Sequence, residues 1–136
     1  RCVVLSDGYY EWTNQNNQPY YVTHTQNKIL PLAGIWTKWE SSDSNIIFSY
    51  TVITRKPVKS IGHLHNRMPV IINNQKIDKW IDCKQFSFKE CLNDIQGDIT
   101  DLKYYPVSKF VNSVTNNSIQ CIKEAREIHT INLFSS

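Results

Sequence analysis

The stretch RCVVLSDGYYEW, residues 1 to 12, is two β-rich runs around a turn, and the rest of the first half repeats its rhythm. Cys2 to Leu5 favours an extended chain, Ser6-Asp7-Gly8 interrupts it with turn-forming residues, and Tyr9 to Trp12 resumes it. A polar loop, Thr13 to Gln18, leads through Pro19 into Tyr20 to His24, and Gln26-Asn27-Lys28 turns the chain again. Ile29 to Trp36 and Ile46 to Thr54 follow, separated by the Ser/Asp/Asn-rich loop from Glu40 to Asn45. Short strands with turns about ten residues apart predict an antiparallel sheet that curls or closes.

The second half changes period. Asn74 can cap a short helix in which Ile77, Trp80 and Ile81 share one face. Ser87 to Glu90 has the S-x-x-E form of a capping box, with Cys91, Leu92 and Ile95 following and Gly97 placed to end the helix. Tyr104 to Val107 and Val111 to Val114 read as late extended segments, and Asn116-Asn117 as a turn. With no internal repeat or linker, the expected fold is one α+β domain over residues 1 to 136. It pairs a curled, partly barrel-like antiparallel sheet with a few short helices. Residues 127 to 136 read as a flexible tail.

Composition bounds the classes of function. A chain of 136 residues, 40% of them apolar, with seven Tyr, five Phe and four Trp, suffices for one core. No apolar run approaches the ~20 residues of a membrane-spanning helix, so a soluble protein without a membrane partner is expected. Cys2, Cys83, Cys91 and Cys121 form no C-x-x-C pair and no even spacing, which points away from a zinc ribbon or disulfide framework and toward a reducing compartment. The net charge is only +3. Its distribution is uneven: from Ser44 to Ile77 there is no acid, while Arg55, Lys56, Lys59, Arg67 and Lys76 all fall there. A phosphate-facing surface and a solvated basic loop both fit this.

Two stretches can carry chemistry. In D-G-Y-Y-E-W, residues 7 to 12, strand alternation puts Tyr10 and Trp12 on one side and Tyr9 and Glu11 on the other. Aromatic neighbours would desolvate Glu11 and raise its carboxyl toward a range useful for proton transfer, although an ordinary surface glutamate fits as well. Trp12 suits either core packing or base stacking. In HLHNRMPV, residues 63 to 70, Pro69 favours an extended Met68, and an extended run would place His63, His65, Arg67 and Pro69 on one side. Zinc would need further ligands that the neighbouring sequence lacks, so no metal is expected. A histidine can exchange protons near neutral pH, and a nearby guanidinium can hold an anion. Spacing alone leaves acid–base chemistry, a phosphate clamp and a hydrogen-bonded bend all open. Nucleotide-binding glycine patterns are absent.

Taken together, these stretches resemble the SRAP (SOS-response-associated peptidase) family of abasic-site processing proteins. Residues 1 to 12 are similar to the family's R-C-x-x-x-x-D-G-F-Y-E-W segment. Q-P-Y-Y (18 to 21), L-A-G-I-W (32 to 36) and S-Y-T-V-I-T (49 to 54) follow in the family's order. H-N-R-M-P (65 to 69) resembles its H-x-R-M-P signature, W-I-D (80 to 82) its W-L-D, and P-V-S-K-F-V-N (106 to 112) its P-V-S-x-x-V-N. The likeness extends to about Cys121 and is nearest to eukaryotic members.

The resemblance implies a protein that binds single-stranded DNA and cross-links covalently to abasic sites through a thiazolidine, acting as a monomer without a cofactor in the DNA damage response. It implies Glu11 and His65 as catalytic residues, His65 handling the proton at the sugar oxygen as the ring opens and Glu11 assisting proton transfers at the amine. Glu11 would also serve autoproteolytic loss of an initiator methionine. Trp12 and Arg67 are implied DNA contacts, with Thr54, Arg55 and Lys56 along the DNA path, while His63 falls outside the motif. The family's nucleophile is a cysteine just after the initiator methionine. Cys2 matches a different, strand-borne position, so these residues are expected to be the C-terminal part of the domain, without its nucleophile and inactive alone. Localisation would be nuclear in a eukaryote and cytoplasmic in a bacterium. Two other classes stay in view: a non-catalytic single-strand binding module and a general peptidase.

Overall fold

The computed structural model describes residues 1 to 14, 16 to 95 and 101 to 125. The expected tail at 127 to 136 and the helix end at Gly97 lie outside them. Among the described residues there are eight strands: β1 (Cys2–Ser6), β2 (Gly8–Trp12), β3 (Pro19–His24), β4 (Leu30–Glu40), β5 (Ile46–Val52), β6 (Thr54–Arg55), β7 (Met68–Pro69) and β8 (Leu102–Pro106). The helices are α1 (Ile77–Ile81) and α2 (Phe88–Ile95). All strand pairs are antiparallel, in sheets of order β1-β4-β5, β2-β3-β8 and β6-β7. The fold is thus the expected α+β arrangement, its strands divided among sheets rather than closed into one barrel.

The opening stretch divides at its turn. β1 pairs with β4, but β2 pairs with β3, so Ser6-Asp7-Gly8 passes the chain from one sheet to the next. Gly8 is required there because a Cβ would lie 2.4 Å from the Tyr21 ring. The Thr23 hydroxyl donates to the Asp7 carbonyl at 2.6 Å and fixes the corner from below.

A short segment behind the sheets ties them together. The Val70 amide donates to the Ile53 carbonyl, the Ala33 amide to Val70, the Ile53 amide to Ala33, and the Ile72 amide to Pro31, each at 2.8 Å. Val70, Ile71 and Ile72 are buried and alternate between two clusters, because an extended chain turns successive side chains to opposite faces. Ile71 joins Val22, Leu30, Leu32, Ile61, Leu64, Met68 and Leu102. Val70 and Ile72 join Ala33, Trp80, Cys91 and Ile95.

Trp80 anchors the second cluster, fully buried, with its indole Nε1 donating to the Cys2 carbonyl at 2.8 Å. The Arg1 guanidinium lies 5.5 Å from the Trp80 ring centroid. It also donates to the carbonyls of Trp80, Asp82 (2.7 Å) and Phe86 (2.8 Å), satisfying acceptors that the end of α1 leaves open. Ser87 and Glu90 form the expected capping box: the Glu90 carboxylate accepts from the Ser87 amide at 2.9 Å, and the Ser87 hydroxyl accepts from the Glu90 amide at 3.3 Å.

Several expectations are corrected. Asn73, not Asn74, supplies the cap, its side chain accepting from the Gln75 amide at 2.9 Å. α1 is too short to bury a full stripe, and Ile81 is exposed beside the buried Trp80. Residues 111 to 114 form no strand: Ser108 caps a 3-10 turn over Lys109–Asn112, accepting from the Phe110 amide at 3.2 Å. β4 runs on to Glu40, and beyond Gly34 its residues and those of β5 as far as Thr51 are exposed, including Ile35, Trp36, Trp39, Ile46, Ile47, Phe48 and Tyr50. Among the described residues no helix is long and apolar enough to cross a membrane.

Because Trp80 joins α1 to β1 by packing and by a hydrogen bond, Trp80→Ala should cost about 3 to 5 kcal/mol of stability, read as a lower denaturation midpoint. Trp80→Phe should cost less but more than a surface substitution, since it removes the donor to the half-buried Cys2 carbonyl.

Candidate active site

The β2 register fixes the site. Glu11 lies opposite Tyr20, and Tyr9 opposite Val22; in the next strand Val22 lies opposite Tyr104 and Tyr20 opposite Pro106. Cross-strand partners share a face, so Tyr9, Glu11, Tyr20 and Tyr104 line one side of this sheet. The Tyr20 and Tyr104 rings stand edge to face, 6.0 Å apart. Gly8, Tyr10, Trp12 and Tyr21 take the other side, as alternation along β2 predicts.

Over the Glu11 face lies the loop from residue 57 to 67. The sequence suggested an extended run from His63, but the chain turns as far as Leu64 and bends at Asn66. Apolar spacing is the cause. Ile61 and Leu64 both enter the first core cluster, and the Leu64 amide donates to the Ile61 carbonyl at 3.0 Å, which a turn allows and a strand does not. The Val58 amide also contacts the Met68 sulfur at 3.3 Å, pinning the loop's start to its end. With Leu64 held inward, His63 and His65 face out on either side. His63 meets the Tyr104 ring edge-on at 5.1 Å. His65 reaches Glu11, with 3.6 Å between Nδ1 and Oε1.

This pair brings a carboxylate and an imidazole together from two distant parts of the chain. At 3.6 Å they are an ion pair when His65 is protonated, short of a hydrogen bond. The His65 Nδ1 is buried and has no hydrogen-bond partner, while the side chain as a whole is 35% exposed, so the ring is fixed at one end and accessible at the other. The Glu11 Oε1 also accepts from the Trp12 amide at 3.2 Å. Tyr9 has a buried, unpartnered hydroxyl as well. Burial, and secondarily the charge of Glu11, push its ionisation well above the ordinary tyrosine range.

The other candidate residues fall into two places. Arg67 turns from the pair to β6, where Nε donates to the Thr54 hydroxyl at 2.7 Å and Nη2 to the Thr54 carbonyl at 2.9 Å. Arg67 and Thr54 therefore form one clamp beside the β6–β7 pairing, with half-buried Arg55 and exposed Lys56 following. Trp12 lies on the far side of β2: its indole donates to Asn112 Oδ1 at 2.9 Å, and with Tyr10 it lines a groove against residues 111 to 122. The structure does not bring Trp12 to the Glu11–His65 face. Lys76, part of the acid-poor stretch, pairs with Asp94 at 3.1 Å.

The four cysteines are engaged elsewhere. The Cys2 sulfur packs on Gly34, Cys83 is exposed beyond α1, Cys91 sits in the second core cluster, and Cys121 is buried with its thiol on the Asn116 carbonyl at 3.4 Å. Among the described residues no cluster of three or more His, Cys, Asp or Glu could hold a metal ion.

Comparison with known proteins identifies the family. The abasic site processing protein HMCES of Xenopus tropicalis is 36% identical over 143 residues, an alignment covering 90% of this chain and 42% of that protein. The abasic site processing protein YoqW of Bacillus subtilis is 30% identical over 127 residues, covering 90% of this chain and 57% of its own. The chain thus spans less than half the length of the vertebrate relative and little more than half that of the bacterial one. A solved protein from Bacteroides thetaiotaomicron shares the fold, with a TM-score of 0.78 at 22% identity over 91% of this chain and 56% of that one. The family described as SOS response associated peptidase (SRAP) matches residues 1 to 114. A match over most of the chain, with both relatives agreeing, makes this protein a member of the SRAP family.

Proposed function

We propose that this chain carries the acid–base half of an abasic-site processing centre, in a protein that binds single-stranded DNA and cross-links to the lesion. The observation that carries this reading is the Glu11–His65 approach of 3.6 Å, made between a strand and a loop with an ordered apolar support beneath.

The chemistry follows from what such a pair can do. An abasic sugar must first open to its aldehyde, which needs a proton at the ring oxygen; His65 supplies it. A cysteine amine then adds to the aldehyde carbon, and Glu11 removes the proton that the nitrogen must lose. Loss of water leaves an imine, whose carbon accepts the cysteine sulfur; the thiol proton returns to the nitrogen. The net reaction is aldehyde plus aminothiol to thiazolidine plus water. The amine and thiol come from a cysteine outside these residues, in line with the positions of the four present here. Arg67, Thr54, Arg55 and Lys56 border the loop and serve the DNA backbone, and Trp12 offers a stacking surface on the other side of β2.

Glu11→Gln and His65→Ala, introduced into the whole protein, should each slow cross-linking to single-stranded DNA carrying one abasic site by about 10²-fold or more, read as the adduct band on denaturing electrophoresis. Unchanged adduct rates in both variants would overturn the reading. DNA bound by the unaltered protein without any adduct would make it a binding module instead.

Binding of the same DNA without its lesion should weaken with salt. Lys56→Ala should lower the slope of log affinity against log salt by about 0.7 if that side chain meets a phosphate, measured by fluorescence anisotropy.

A further inference from the structure

Two buried side-chain atoms without a hydrogen-bond partner stand out among the described residues, the Tyr9 hydroxyl and the His65 Nδ1. Both belong to neighbours of Glu11. Buried polar groups are nearly always paired, and those left open gather where a site needs a donor or acceptor in reserve. Tyr9 is two residues before Glu11 on β2 and shares its face of the sheet. Its ring packs against the cluster containing Ile61 and Leu64, the residues that hold the loop bearing His65. Tyr9 therefore lies beneath the pair, fixed by the same apolar contacts that fix the loop.

The hydrogen-bonding inventory is complementary. Tyr9 Oη is a donor with no acceptor. Glu11 accepts through Oε1 from the Trp12 amide, with His65 Nδ1 3.6 Å from the same oxygen, and its Oε2 has no donor among the described residues. The two groups already sense each other, since the Glu11 charge helps to keep the Tyr9 proton in place. A phenol held neutral in this way is a lasting donor: it cannot compete with Glu11 as a base and can stabilise the carboxylate as it forms.

We infer that Tyr9 is a positioning residue of this centre: its buried hydroxyl, unpartnered in the resting structure, is the donor that turns to the Glu11 carboxylate and keeps it aimed during proton transfer. This rests on the proposed role of Glu11. The other titratable groups on this face are His65 and His63 from the loop, Tyr20 from β3 and Tyr104 from β8. Only Tyr9 has a hydroxyl that is buried without a partner.

Tyr9→Phe keeps the ring and removes the donor. A hydrogen bond to the charged form favours that form, so its loss lets the carboxylate take up a proton at higher pH. Cross-linking to abasic single-stranded DNA by the whole protein should slow about tenfold near neutral pH, and the acidic limb of its pH–rate profile should move to higher pH. A merely structural change would lower the rate without moving the limb. In parallel, the changes in melting temperature of Tyr9→Phe and Glu11→Gln, measured without DNA, should fail to add in the double variant. An active wild type in which Tyr9→Phe leaves rate and profile unchanged overturns the Tyr9 assignment. A wild type that forms no adduct overturns the function instead, and the melting cycle then decides Tyr9 alone: additive shifts reject the contact, non-additive shifts uphold it.

Discussion

Everything in this molecule hangs on satisfying the backbone of one buried segment. From Met68 to Ile72 the chain runs between sheets, Pro69 apart at most 5% exposed, and buried amides and carbonyls must find partners. They find them on three sides: Ile53 at the end of β5, Ala33 inside β4, and Pro31 at its start. Pro69, which has no amide to satisfy, pairs with Thr54 and leaves no donor stranded. This arrangement fixes the end of the loop that carries His65, while Ile61 and Leu64 fix its middle. The histidine is aimed by backbone hydrogen bonds and apolar burial, not by a hydrogen bond at its own Nδ1.

The site is then the meeting of two periodicities. β2 alternates every two residues, which sends Glu11 and Tyr9 to one side and Trp12 to the other. The loop buries a residue every three, which sends Ile61 and Leu64 inward and leaves the histidines at its rim. Neither pattern would form a site alone. Their overlap puts a carboxylate, an imidazole and a phenol together on a sheet face, with residue 65 far along the chain from residues 9 and 11.

How much of this was legible follows from the same distinction. Alternation in D-G-Y-Y-E-W and the S-x-x-E box are local, so the facing of Glu11 and the start of α2 could be read directly. The H-N-R-M-P likeness singled out His65, but the turn at His63-Leu64 depends on where Ile61 and Leu64 find their core, which no local pattern reveals. The 3-10 turn at Lys109–Asn112 was hidden for a similar reason: the valines at 111 and 114 suggested an extended segment, and the Ser108 cap prevailed. Arg67 read as a phosphate or structural partner of the site; its donors largely serve Thr54, thirteen residues away, which no local pattern reveals.

The ribbon formed by the far halves of β4 and β5 has a consequence for how the protein behaves in solution. Ile35, Trp36, Trp39, Ile46, Ile47, Phe48 and Tyr50 are all roughly half exposed, and they occupy both faces of the ribbon. No single sheet-on-sheet contact can dry both sides. Such a ribbon is an adhesive, with an open strand edge as a template for more strands. Burial of that ribbon against any further chain would remove more apolar surface from water than any other exposed stretch among the described residues.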